Sequence, residues 1–578
     1  MNLRPLEALL TDPPHRRLLR VARVARTTGF PLQFLEHPLG ALSVARQHGL
    51  NAAMLHALHA SNHPHRLALA DRERVLDYAK ADAEINAFAH ALRGEFRLRR
   101  GEALAIALEN RAEYVLAWFA AMRAGVRVVH AGSHVTADEL VHMARVGGVR
   151  CVLASATTAA VVRTACERLS DAQVRVVLCG DTRVAETAST TAANTTAANT
   201  DAAGTNAANT NAARTTSWSE LIARGPTSFP ARGADRAESV VFTSGTTGRP
   251  RGAARDFGAF GPTELARVLE RLPFQCAERH LVVAPLSHSA PQVFALLQTA
   301  LGGTLYLEPR FDAAATLRAL AKEHIHSVFM VPTMVRRVLE LPATEPLPDL
   351  RAIVVGSSEF SAELRRAAIA RFGAETLFDF YGATELGWVT LIRGDEMLTH
   401  PGSVGRPLPG QQVRILDEHG HALPPGQVGL IGVRNAQTML GYTGDAQASK
   451  DTVRAGWTTV EDTGYLDEDG YLHLTGRARD MVKSGGVNVY PAEVERVLET
   501  DPQLREVVVI GVPDREWGER VVAVVVPRDD TFDPEQARTH ARAHLSPAKV
   551  PREWKVVDAL PRNTNGKVLR TELRARFG

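Results

Sequence analysis

A run of glycines and hydroxyl residues, Thr243-Ser-Gly-Thr-Thr-Gly-Arg-Pro-Arg251, follows directly on the apolar stretch Val240-Val241-Phe242. The apolar stretch reads as a buried strand and the rest as a turn. Gly245 and Gly248 let the backbone turn tightly and bring its N–H groups up to an anion. Thr243, Ser244, Thr246 and Thr247 add hydroxyl donors, and Arg251 adds charge. Such a turn holds a polyphosphate. It is not a Gly-x4-Gly-Lys-Ser/Thr loop, so a P-loop ATPase fold does not follow. Taken alone, the segment is equally a flexible linker.

Strand and helix patterns alternate around it. Leu67 to Asp71 reads as a short strand, Tyr78 to Leu92 as an amphipathic helix and Gly101 to Leu108 as a strand. Glu113 to Ala124 reads as another helix, and Val126 to Val129 as the strand after it. Alternation of this kind predicts an α/β fold: a large N-terminal domain of parallel-rich sheets with helices. From Arg479 the pattern changes to a helix opening at Pro491 and strands at Val507–Ile510 and Val521–Val526, which predicts a small α+β C-terminal domain. The expected organisation is a helical extension over 1–50, a large domain over 51–478 and a small mobile one over 479–578. Tyr465 to Leu474 reads as a hairpin with Asp469-Gly470 at its turn.

At 578 residues the chain exceeds what one core organises. Its net charge of +3 and lack of a basic, aromatic-interleaved patch argue against nucleic acid. Cys151, Cys166, Cys179 and Cys276 have no metal spacing and read as buried thiols in a reducing compartment. No apolar run is long enough to span a membrane. Arg16 to Arg26 form either a solvated helix or a basic helix at the inner membrane face of a cytoplasmic protein. Residues 190–214 read as five Thr/Ala/Asn-rich pentapeptides, too small in side chain to offset ordering, and are expected to be a disordered insertion.

Four further segments join the phosphate turn in one pattern. Gly356-Ser357-Ser358 ends the apolar run Ile353-Val354-Val355, and Asp379-Phe380-Tyr381-Gly382-Ala383-Thr384-Glu385 follows. Then come Asp462 with Gly476-Arg477-Ala478-Arg479-Asp480, and Pro561-Arg-Asn-Thr-Asn-Gly-Lys567. In order and type these resemble the adenylate-forming superfamily: acyl-CoA synthetases, luciferases and the adenylation domains of peptide synthetases. The resemblance implies ATP, Mg2+ and coenzyme A. It makes Glu385 the Mg2+ ligand, Thr384 a phosphate contact and Tyr381 an aromatic face for adenine. Gly356, Ser357, Ser358, Asp379, Phe380 and Gly382 would line the adenine site, with Asp462 and Arg477 at the ribose. Lys567 would be the catalytic lysine and Arg479 the hinge. Lys483, Gly485 and Gly486 would form the loop that meets pantetheine after the small domain turns. His288, in Pro285-Leu-Ser-His-Ser-Ala290, resembles a gate between nucleotide and acyl sites.

Ser287 to Leu296 lacks the aspartate with which amino-acid-activating relatives bind an α-ammonium, so a plain organic acid is expected, a fatty acid first. The chain departs from the usual pattern in three places: Arg251 for a lysine, Val460-Glu461 for Thr-Gly, and Asp379 for an amide. The leading expectation is an ATP-dependent acyl-CoA ligase. Its rivals are a carrier-protein loader, a luciferase-like oxygenase and a non-catalytic nucleotide-binding regulator.

Overall fold

A computed structural model of the protein describes residues 22–30, 42–44, 52–99, 101–169, 173–180, 215–230, 238–243, 250–256, 262–342, 346–485, 487–562 and 568–578. The 190–214 insertion, most of the 1–50 extension, the phosphate turn 244–249, Gly486 and Lys567 lie outside them. The chain forms two compact units. The first comprises Met1–Phe329, Leu347–Arg351 and Ala436–Lys450; the second comprises Met330–Pro346, Ala352–Asn435 and Asp451–Gly578. The expected boundary at Arg479 falls inside the second unit, at the 3-10 turn Ala478–Asp480.

In the first unit, an eight-stranded sheet runs in the order Gly441–Tyr442, Arg251–Asp256, Glu238–Thr243, Arg127–His130, Ala103–Ala107, Val149–Ser155, Arg175–Cys179, Thr215–Ser217. Its pairs from Glu238–Thr243 through Thr215–Ser217 are parallel, and helices Ala112–Ala124, Ala137–Gly147 and Ala159–Arg168 lie in the connections between its strands from Ala103 to Cys179. Ala103–Ala107 is buried at every position, as a strand covered on both faces must be. Helix Ala112–Ala124 buries Tyr114, Trp118 and Phe119 and ends at Gly125, whose left-handed φ of 69° closes the helix. Helix Tyr78–His90 stops short of Leu92 and passes into a π-turn over Ala91–Glu95. Positions 22–28 are helical, with Val24 buried.

In the second unit, Ala352–Val355 pairs in parallel with Leu377–Ala383, which turns back antiparallel into Gly387–Arg393. The expected hairpin is Asp462–Leu466 with Leu472–Arg477, and Gly470 takes φ 79° at its turn. The C-terminal part is built on a long hairpin, Leu504–Asp514 with Gly518–Pro527. Its valines alternate between two cores. Val507, Val509, Val521 and Val525 face Val494 and Leu498 of helix Pro491–Leu498, while Val508, Ile510, Val522 and Val524 face Leu573 of helix Arg570–Phe577.

The expectation of buried thiols needs correcting. All four cysteines are free; Cys151 and Cys179 are buried, and Cys166, at the margin of a core, and Cys276 are only half-buried. Among the described residues no helix is long and apolar enough to cross a membrane.

Candidate active site

In the first unit, Val240 and Val241 are buried and carry their strand to Thr243, whose hydroxyl donates to the Arg251 carbonyl at 3.5 Å. Thr243 and Arg251 are register partners of an antiparallel pair, which brings together the two residues that flank the expected phosphate-binding segment. Ser244, Gly245, Thr246, Thr247 and Gly248 lie outside the described residues. Arg251 has a carboxylate partner of its own, Asp445 at 3.6 Å, and its guanidinium lies 5.8 Å from the Tyr442 ring.

His288 caps the N-terminus of helix Ser289–Ala300 in an extended conformation, and its N–H donates to the Pro285 carbonyl. The preceding turn is clamped. The Leu286 N–H donates to Asn110 Oδ1 at 2.8 Å, and the Leu286 carbonyl accepts from the Tyr114 hydroxyl at 2.9 Å and from Gln292 at 2.8 Å.

In the second unit, the buried strand Ala352–Val355 ends at Gly356, where a Cβ would lie 2.5 Å from the Phe380 ring. Only glycine permits that approach. Ser357 follows with φ 73°, a left-handed backbone that serine adopts at a cost, and Ser358 is half-buried. Strand Leu377–Ala383 carries Asp379 to Gly382. A Cβ on Gly382 would meet the Gly387 carbonyl at 2.4 Å, so the tight return into Gly387–Arg393 also needs its glycine.

The Tyr381 hydroxyl donates to Asp462 Oδ2 at 2.8 Å, and Arg477 Nε donates to Asp462 Oδ1 at 3.0 Å. Asp462 and Arg477 are also cross-strand register partners. Burial, with Asp462 beside it, pushes the Tyr381 phenol up, so it stays a donor. Burial opposes the charge on Arg477, but Asp462, Asp480 and Glu385 outweigh it and raise the guanidinium. Glu385 is 8% exposed and acts on both Tyr381 and Arg477. Tyr381, Asp462, Arg477 and Glu385 therefore form one charged cluster, with Thr384 next to it in sequence. The Tyr381 ring packs with Leu386, Val389 and Ile431, so its hydroxyl is the part that reaches the cluster.

Asp379 is buried and ion-paired with Arg365, which also donates to the Ser403 carbonyl at 2.7 Å. Desolvation raises its carboxyl to about 6 despite that arginine. Lys483 is exposed, and its N–H donates to Glu519. Gly485 has φ 57°, donates to the Trp517 carbonyl at 2.9 Å, and would place a Cβ 2.6 Å from the indole. The Arg552 guanidinium lies 3.8 Å over that indole. Lys567 is outside the described residues; Arg562 and Val568, which flank that stretch of sequence, form an antiparallel bridge.

Sequence reasoning did not find Trp517, Arg552 or Arg365. Trp517 carried the one available signal, an indole in the charged run Asp514 to Glu519.

Among the described residues no group of three or more His, Cys, Asp or Glu side chains could hold a metal. A lone carboxylate such as Glu385 still suits Mg2+, which takes one or two carboxylates and completes its shell with substrate phosphates and water.

Residues 57–443 match the family model described as AMP-binding enzyme, and residues 493–567 match the AMP-binding enzyme C-terminal domain. A feruloyl-CoA synthase of an Amycolatopsis species is 37% identical over 351 residues, covering 60% of this chain and 71% of the relative. The fatty acid–[acyl-carrier-protein] ligase ScoC of Streptomyces coeruleorubidus is 29% identical over 532 residues, covering 90% of this chain and 95% of the relative. ATP-bound MatB from Rhodopseudomonas palustris shares the fold at a TM-score of 0.78 and 27% identity, over 91% of this chain and 99% of that one. With the first match spanning more than half of the sequence, the chain belongs to the AMP-binding enzyme family, the adenylate-forming enzymes among which acid–CoA ligases use ATP, Mg2+ and CoA.

Proposed function

We propose that the protein activates an apolar carboxylic acid to an acyl-adenylate and then transfers the acyl group to coenzyme A. The observation that carries this reading is the Tyr381–Asp462–Arg477 cluster with Glu385 beside it. A carboxylate held by a phenol and a guanidinium presents oriented acceptors to ribose hydroxyls, while Glu385 would hold Mg2+. Bound Mg2+ supplies charge neutralisation at the phosphates.

A carboxylate is a poor electrophile, because attack on it adds charge to an anion. In the first step its oxygen attacks the α-phosphorus of ATP, and pyrophosphate leaves. In the second, a thiol gives up its proton and attacks the acyl carbon, and AMP leaves. Neither step needs a protein nucleophile; both need alignment and charge. Lys567 would place its ammonium against the acid and α-phosphate oxygens in the first step. His288 would stand at the acyl side, held by the clamp on Leu286.

The thiol acceptor is read as CoA because Gly485 abuts the Trp517 indole under the Arg552 guanidinium. That platform suits an adenine nucleotide with its phosphates, which CoA has and a carrier protein lacks. Transfer to a carrier protein is the second reading, favoured by the likeness to ScoC along nearly the whole chain. Among acids, fatty acids are the first class to test. Aryl acids come second, on the likeness to a feruloyl-CoA synthase.

The test is incubation with ATP, Mg2+ and a panel of short, medium, long and aromatic acids, with and without CoA, followed by mass spectrometry. AMP and acyl-CoA appearing together support the reading, and Trp517→Ala is then expected to raise KM for CoA about tenfold. Acyl-adenylate that is never transferred to CoA points to a carrier protein. Absence of acid-dependent AMP with every class, while ATP still binds, favours the regulatory reading.

A further inference from the structure

The clamp on the His288 turn continues inward as a chain of buried polar groups. The Tyr114 hydroxyl, which donates to the Leu286 carbonyl, lies 2.6 Å from His130 Nδ1. His130 Nε2 lies 2.8 Å from the Ser239 hydroxyl. Tyr114 is on helix Ala112–Ala124, His130 ends strand Arg127–His130, and Ser239 is on strand Glu238–Thr243, which leads into the phosphate turn. Tyr114, His130 and Ser239 are exposed by 0%, 2% and 1%. Burial lowers the His130 pKa to about 3, so the ring is neutral, with one nitrogen donating and the other accepting.

Two further contacts meet the same turn. Asn110 holds both the Leu286 N–H and, at 3.0 Å, the Ala284 carbonyl. A Cβ on Gly132, just past His130, would lie 2.7 Å from the Ser287 hydroxyl.

Buried polar groups are costly unless every one is satisfied. Leucines would join these elements without that risk. A satisfied polar chain instead fixes one geometry, and here it runs from the phosphate-turn strand to the turn carrying His288. We propose that His130, with Tyr114 and Ser239, is a positioning residue for adenylation, keeping the His288 turn in register with the strand that feeds the phosphate turn. This rests on the acid–CoA ligase reading above.

Ser239→Ala and Tyr114→Phe each remove one hydroxyl from the chain while leaving its shape. Acid-dependent ATP–pyrophosphate exchange and amide hydrogen exchange at Leu286, Ser287 and His288 read the result. Each variant is expected to lower kcat for adenylation about tenfold with KM for ATP within about twofold, and the double variant to be no worse than the worse single one. Ser239→Ala, which alters the strand alone, is expected to speed amide exchange at residues 286–288 several-fold, and Ser239→Thr to restore it. Unchanged exchange there, or full kcat with only a lower Tm, overturns the proposal. If the wild-type protein adenylates no acid, the ligase reading fails, and the amide-exchange result still decides the coupling.

Discussion

The cluster at Asp462 and the turn at His288 hold their geometry by opposite means. At Asp462 the bonds are charged: a carboxylate between a phenol and a guanidinium, with Glu385 close by. At His288 they are neutral: amides, a phenol, an imidazole and backbone carbonyls, nearly all buried. In the proposed reaction, charge sits where phosphate and ribose would have to be met. Neutral, fully paired bonds sit where a position must be kept without adding a field of their own. The contrast teaches which substitutions ought to change turnover and which ought to change order.

The strongest test of the charged side is Lys567→Ala, expected to slow adenylation by roughly 100- to 1000-fold, about 3 to 4 kcal/mol. Thioester formation from supplied acyl-adenylate should be largely retained. Single-turnover assays of the two half-reactions check this, and equal loss in both would remove the division of labour.

A charge that serves structure should behave differently, and Asp379 provides the case. Its native carboxyl titrates near 6, raised by burial, so the folded state holds the proton more tightly than the unfolded chain. Its contribution to stability is fully present below about pH 4 and is lost as pH rises through about 6, some 3 kcal/mol in all. Tm measured from pH 4 to 7 should show that decline in the wild type. Asp379→Asn, neutral at every pH, should lack the decline.

Asp462→Asn keeps the shape of the cluster but removes its negative charge. KM for ATP is expected to rise about 10- to 100-fold, from roughly 1.5–3 kcal/mol of charge-assisted bonding, with kcat less affected. A change in Tm with no change in KM would put Asp462 among the structural charges beside Asp379.

The smallest effect is expected at Glu461, which stands where the usual pattern has glycine and takes φ 64°. Its carbonyl accepts from the Ala478 N–H at 2.8 Å, so the turn into the 478–480 segment depends on that conformation. Glu461→Gly should stabilise the protein by about 0.5–1 kcal/mol, as relief of left-handed strain outweighs glycine's extra entropy. KM for ATP should not move, and thermal unfolding with initial rates would show it.

Local pattern made much of the fold legible. Val240 to Phe242 and Ile353 to Val355 are strands because short apolar runs soon followed by a glycine have few other solutions. Helix Pro491–Leu498 begins at its proline, and the hairpin turns at Gly470. The partners were not legible. Nothing local to Tyr381 announces that its hydroxyl reaches Asp462, and nothing in Asp379 announces Arg365, since those pairings are made by packing between distant segments. His130 reads as one more histidine at the end of an apolar strand until Tyr114 and Ser239 are brought to its two nitrogens. Strand Thr215–Ser217 was missed because it begins just after the Thr/Ala/Asn repeats, whose composition masks it.

The most direct test of the two-step reaction is rapid quench of the wild-type protein with ATP, Mg2+ and its best acid, with CoA added only after a delay. Acyl-AMP is predicted to accumulate on the enzyme before CoA arrives and to be consumed as acyl-CoA and AMP appear in equal amounts. Release of ADP in place of AMP, or acyl-CoA formed with no acyl-AMP before it, would contradict the mechanism.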